Sequence, residues 1–82
     1  MDRIRQIIDK HGRLPAKAET LRPQQDLYAA GLTSFAAVQL MLALEEAFDI
    51  EFPERMLNRR SFSTIEQIAA CINELSPKAL AS

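Results

Sequence analysis

The chain is poor in the residues that most chemistry depends on. It has one cysteine, one histidine, no tryptophan and two glycines, and no apolar run approaches the roughly 18 residues of a membrane span. Each scarcity removes a class of function. Cys71 has no partner for an internal disulfide, and with His11 as the single histidine there is no ligand set for zinc. A lone unpaired thiol agrees with a reducing compartment. Catalysis by a serine or cysteine needs a base within hydrogen-bond reach, and His11 is better explained as a partly buried histidine at a helix end, where its charge would favour the helix dipole. Cys71, at the edge of an apolar helix face, reads as a small hydrophobe. The start, Met1-Asp2-Arg3-Ile4-Arg5, lacks the apolar core of a signal peptide, so a cytoplasmic protein with no membrane partner is expected.

Net charge is also scarce. Ten Lys and Arg stand against eleven Asp and Glu, which gives no global field for DNA, RNA or an anionic membrane. The distribution is less even: residues 1–33 carry +2, residues 34–52 carry −4 through Glu45, Glu46, Asp49 and Glu51, and residues 53–82 carry +1. Arg55, Arg59 and Arg60 form a small basic spot suited to partner contacts. Without interleaved aromatics or a glycine-rich loop they do not make a nucleic-acid site.

What is present is helical periodicity. The 82 residues suffice for one small domain, which buries only about 60% of its unfolded surface and is ill suited to a deep substrate cleft. An enzyme is therefore the less expected class. Ile4, Ile7, Ile8 and His11 recur at helical spacing over residues 2–11, with Gly12 where a left-handed C-cap would sit. Periodicity then vanishes from Gly12 to Thr33, where Leu14, Leu21, Leu27, Tyr28 and Leu32 are scattered among breakers. These anchors predict an ordered loop laid over the core. Thr33 or Ser34 caps a second helix that runs to Phe48, with Val38, Met41, Phe48, Ala37, Leu44 and Leu40 on its apolar arc. A short helical turn is expected over Pro53–Asn58. Ser63-Thr64-Ile65-Glu66 has the form of a capping box before a last helix carrying Ile65, Ile68, Ile72 and Leu75, which Pro77 ends. The chain reads as a single all-α domain over 1–82, with its core in 2–76 and a flexible tail over 77–82.

Ser34 on its own is no more than a helix-start residue. Its surroundings are more specific: Asp26-Leu27-Tyr28-Ala29-Ala30-Gly31-Leu32-Thr33-Ser34-Phe35 closes the loop, and Leu44-Glu45-Glu46-Ala47-Phe48-Asp49-Ile50-Glu51-Phe52-Pro53 follows. This run resembles the acyl carrier and peptidyl carrier protein family over about residues 26–75, and more weakly, by helix pattern, toward the N-terminus. The resemblance implies a four-helix bundle with a long first loop and a short third helix. It also implies 4′-phosphopantetheine, donated from coenzyme A by a phosphopantetheinyl transferase and esterified to Ser34. The chain would then be a carrier without catalytic residues of its own, holding an acyl group as a thioester.

Two departures from the family pattern stand out. Thr33 occupies the position where most of the family has Asp, and Ala36 and Gln39 stand where acids are common. With Leu57-Asn58-Arg59 and Ser61-Phe62, the motif looks most like the small stand-alone aminoacyl carrier proteins. Those receive an activated amino acid from ligases related to seryl-tRNA synthetases and pass it to a downstream acyltransferase. A monomer is expected. The strip Phe35, Gln39, Leu42 and Glu46, with Thr33, Arg59 and Arg60, is the expected partner surface, read by shape and apolar contact more than by charge. Two alternatives remain at this point: a carrier of fatty-acyl, polyketide or nonribosomal intermediates, and an unmodified helical interaction module in which Ser34 merely caps.

Overall fold

A computed structural model describes residues 2–15 and 17–76; Pro77 and the tail expected over 77–82 lie outside the described residues. Among those described, three α-helices, α1 (Asp2–His11), α2 (Ser34–Phe48) and α3 (Ile65–Leu75), are joined by segments whose only helical structure is 3₁₀. None is long and apolar enough to cross a membrane.

Helix α1 buries Ile4 and Ile8, with Ile7 half-buried beside them, and ends with Lys10 and His11 in the turn where cations are favoured. Its end differs from expectation. The left-handed residue is Arg13, not Gly12. Gly12 is needed for closeness: its N–H donates to the Ile8 carbonyl at 2.7 Å, and a Cβ there would meet that same oxygen at 2.7 Å.

The described residues of the long segment from Gly12 to Thr33 are laid over the core, as its apolar anchors predict. Ala18, Leu21, Leu27 and Leu32 are buried, with Leu14 and Tyr28 packed against them. Its first half is tied to α1: the Arg5 guanidinium donates to the carbonyls of Ala18 and Leu21, and the Ala18 N–H donates to Asp9 Oδ1 at 2.7 Å. Its second half is tied to the start of α3. Leu27 N–H donates to the Ser63 carbonyl at 2.7 Å, and the Glu66 N–H, one of the donors a helix start leaves without an internal partner, donates to the Pro23 carbonyl at 3.0 Å. The Asp26 carboxylate accepts from the Tyr28 N–H at 2.9 Å, closing a turn on itself. Gly31 takes φ +119°, a backbone open to glycine, and sits where a Cβ would press on Pro15.

Helix α2 is central, burying Ala36, Ala37, Leu40, Leu44 and Phe48. Val38 departs from the expected arc and is half exposed. Beyond the left-handed Asp49 cap, Glu45 accepts from the Phe52 N–H at 2.8 Å, so that one of the acids in the negative segment fastens the chain leaving the helix. The short third helix takes the form of two successive 3₁₀ turns, Glu54–Met56 and Arg59–Phe62. Asn58 caps the second by accepting from the Ser61 N–H at 3.0 Å, and Phe62 meets Phe52 edge to face at 5.4 Å.

The capping box is displaced by one residue. Thr64, not Ser63, caps α3 by accepting from the Gln67 N–H at 3.0 Å. The Ser63 hydroxyl donates to the Arg60 carbonyl, and the Glu66 carboxylate accepts from Gln24. Ile65, Ile68 and Ile72 are buried on the inner face of α3, and Cys71 is half-buried at its edge.

Candidate functional site

Ser34 is the first residue of α2 and is exposed. Its neighbour does the capping: Thr33 Oγ1 accepts from the Ala36 N–H at 3.0 Å, and among the described residues no hydrogen bond engages the Ser34 hydroxyl. That division leaves the hydroxyl available at the positive end of a 15-residue helix. Thr33→Ala is expected to cost about 1 kcal/mol and to lower the melting midpoint by roughly 4–8 °C. Thr33→Asp, which also accepts from the helix start, keeps it in place. Thermal unfolding followed by circular dichroism checks both.

Ser34 opens onto a groove of about 370 Å³ between α2 and the Leu57–Phe62 segment. Ala37, Val38 and Met41 of α2 line one side, and Leu57 and Phe62 line the other. Tyr28, Asn58 and Arg59 complete it. The Arg59 guanidinium carbon lies 4.1 Å from the Tyr28 ring centroid, a cation–π contact. Burial pushes the Tyr28 phenol above its ordinary value, Arg59 pulls it down and Asp26 pushes it up. Val38, Met41, Tyr28 and Leu57 are site residues that the sequence alone placed elsewhere: Val38 and Met41 in the core arc, Tyr28 in the loop and Leu57 in the short helical turn over Pro53–Asn58. The spacing held a signal for two of them, since Val38 and Met41 lie four and seven places after Ser34 and so share its helix face.

The expected partner strip divides in the structure. Phe35, 64% exposed, stands beside Ser34. Gln39, Leu42 and Glu46 face a separate, more polar groove between α1 and α2, which is also lined by Arg3, Lys10 and His11. His11, half-buried there, belongs to a different groove from Ser34. Of the three arginines, Arg59 lines the Ser34 groove, Arg55 pairs with Glu74 at 3.2 Å, and Arg60 is exposed.

Comparison with known proteins gives the class first. Residues 2–72 match the family model described as phosphopantetheine attachment site. The chain is thus a carrier protein of the kind that holds covalently attached 4′-phosphopantetheine. It belongs to the aminoacyl carrier protein family: it is 60% identical over 65 residues to an aminoacyl carrier protein of Agrobacterium fabrum, covering 79% of this chain and 78% of the relative. A D-alanyl carrier protein of Lactobacillus delbrueckii subsp. bulgaricus is 30% identical over 76 residues, covering 92% and 95%.

Solved structures agree. One chain of a complex between an engineered Bradyrhizobium japonicum glycine:[carrier protein] ligase, a carrier protein from Agrobacterium tumefaciens and ATP superposes with a TM-score of 0.85 at 54% identity, covering 88% of this chain and 94% of that one. A chain from the complex of the B. japonicum ligase with a glycylated carrier protein gives 0.72 at 28% identity, covering 85% and 93%. These matches favour an aminoacyl carrier over an unmodified interaction module or a carrier of fatty-acyl or polyketide intermediates.

The residues present fit a phosphopantetheine arm. An exposed hydroxyl lines a groove with apolar walls for the hydrocarbon portion, and Asn58 and Arg59 offer polar donors for its amides and phosphate.

Proposed function

We propose that Ser34 is the attachment point and that the chain carries an activated amino acid, glycine in the first instance, loaded by an amino acid:carrier protein ligase. The single observation behind the placement is the exposed hydroxyl at the start of α2, released from capping by Thr33 and opening onto the apolar groove. The choice of glycine rests on the likeness to carrier chains solved with a glycine:[carrier protein] ligase.

In the priming step the Ser34 oxygen attacks the pantetheine-side phosphorus of coenzyme A. The new O–P bond forms as the pyrophosphate bridge breaks, adenosine 3′,5′-bisphosphate leaves, and the hydroxyl proton passes to a base of the phosphopantetheinyl transferase. The arm, once bound, supplies a thiol that holds the aminoacyl group as a thioester. This chain's residues present and orient; they do no catalysis. A chain that acts as acceptor, first of the arm and then of the cargo, works where coenzyme A and ATP are supplied, in the cytoplasm, and hands its load to a downstream acyltransferase.

Partner enzymes approach along Phe35 and Leu42, which are 64% and 50% exposed on α2, with Gln39, Glu46 and Arg60 at the margin. Phe35→Asp is expected to lower the ligase's kcat/KM by roughly tenfold or more, the usual penalty for losing an exposed aromatic anchor, while the melting midpoint stays put. Because the contact is apolar, the wild-type rate should fall little as salt is raised. Offering the loaded carrier a panel of amino acids with ATP and candidate ligases tests the cargo. Acylation by fatty acyl donors alone would refute the aminoacyl reading.

A further inference from the structure

Of three arginines in one short stretch, a single one lines the Ser34 groove. Arg55 is engaged by Glu74, and Arg60 is absent from the groove lining. Arg59 lines it and is stacked on Tyr28. Stacking uses the face of the guanidinium and leaves its N–H donors pointing outward from the edge. A stacked arginine has given up part of its rotamer freedom already, so it binds an anion at lower entropic cost than a free one. The backbone beneath it is fixed as well: Asn58 donates to the Arg55 carbonyl at 2.9 Å and accepts from the Ser61 N–H and hydroxyl. The acid nearest Tyr28 in sequence, Asp26, is occupied by the backbone N–H groups of Tyr28 and Ala29.

We propose that Arg59, with Tyr28 as its platform, is the counter-ion that holds the phosphodiester of the prosthetic group against the groove. The inference rests on the reading of Ser34 as attachment point. Phosphorus is the first atom beyond the Ser34 oxygen, so the negative charge is introduced in the groove that Ser34 and Arg59 both line. Pairing there lays the first part of the arm along Val38, Met41 and Leu57 and leaves the thiol end to project toward partner enzymes. Arg59 is thus a positioning residue.

The chain has one tyrosine and no tryptophan, so its phenol absorbance reports on Tyr28 alone. Apo and loaded forms of wild type, Arg59→Gln and Arg59→Lys are prepared with a broad-specificity transferase, and intact mass establishes loading. Two readouts follow: ³¹P relaxation of the phosphodiester at neutral pH, and the spectrophotometric titration of Tyr28, with circular dichroism confirming the fold across the range.

In wild type, loading is expected to slow the phosphorus nucleus and to raise the Tyr28 pKa further, because the negative phosphodiester offsets part of the pull that the stacked guanidinium exerts on the phenol. In Arg59→Gln the phosphorus should relax as in a free arm, and Tyr28, already raised in the apo form, should not move on loading. Arg59→Lys should recover part of both effects. Equal relaxation and an equal Tyr28 shift in wild type and Arg59→Gln would overturn the proposal. A protein that gains no mass on Ser34 would instead defeat the attachment reading on which it rests.

Discussion

Ser34→Ala is expected to take up no phosphopantetheine at all under conditions in which the wild type is loaded to completion, and to melt within a degree or two of it. The two halves of this result have separate causes. Loading is lost because the hydroxyl oxygen is the atom that forms the ester, and no nearby serine replaces it: Ser61 is buried against Asn58, and the Ser63 hydroxyl donates to the Arg60 carbonyl. Stability is retained because Ser34 is exposed and the cap of α2 belongs to Thr33; surface changes away from such features stay within about 0.5 kcal/mol. A variant that lost loading by unfolding would show it at once in the far-ultraviolet spectrum. Intact mass and a melting curve on the same sample therefore distinguish a missing nucleophile from a missing fold.

The second large effect is on the fold. Leu40 is 0% exposed in the middle of α2, among residues from the rest of the core. Leu40→Ala is expected to cost about 2–5 kcal/mol, against a total stability of about 4–12 kcal/mol for a chain of this size, and so to leave a protein partly unfolded near physiological temperature. Leu42, two residues along the same helix, is 50% exposed, and its replacement by alanine should be nearly silent in stability while it weakens ligase recognition. Urea titration of the two variants side by side checks the contrast. Equal destabilisation would mean that α2 is not packed as described.

Much of this arrangement is legible in the sequence, because the signals are local. The span of α1 follows from isoleucine spacing, that of α2 from Thr33 at one end and Phe48-Asp49 at the other, and the inner face of α3 from Ile65, Ile68 and Ile72. The features that escaped depend on how the chain packs and turns back on itself, which residue spacing alone does not show. Nothing around Gly12 tells a left-handed cap from a glycine pressed against a carbonyl; the following Arg13 takes the positive φ instead. Ser63-x-x-Glu66 satisfies the capping pattern, yet the loop carbonyl of Pro23 and the side chain of Gln24 claim Glu66, and the cap moves to Thr64. Glu45 reads as one more surface acid until the returning chain brings the Phe52 N–H to it.

The candidate site divides along the same line. Ser34 and its hydroxyl were marked by the motif that contains them. Its groove was not, because Tyr28 and the Leu57–Arg59 stretch come from two separate places in the chain and meet α2 only in the folded molecule. A helical wheel also overstates burial where one face borders a groove rather than a neighbouring helix, which is why Val38 was counted with the core.

The central claim is that Ser34 carries a phosphopantetheine arm that holds an amino acid. Its most direct test is the mass of the protein as isolated from its own cells, followed by fragmentation of the peptide that contains Ser34. The account predicts the added mass of one phosphopantetheine on that serine, with a fraction bearing a further aminoacyl group that alkaline hydroxylamine removes. An unmodified chain, or the same added mass on Ser61, Ser63 or Ser76, would contradict it.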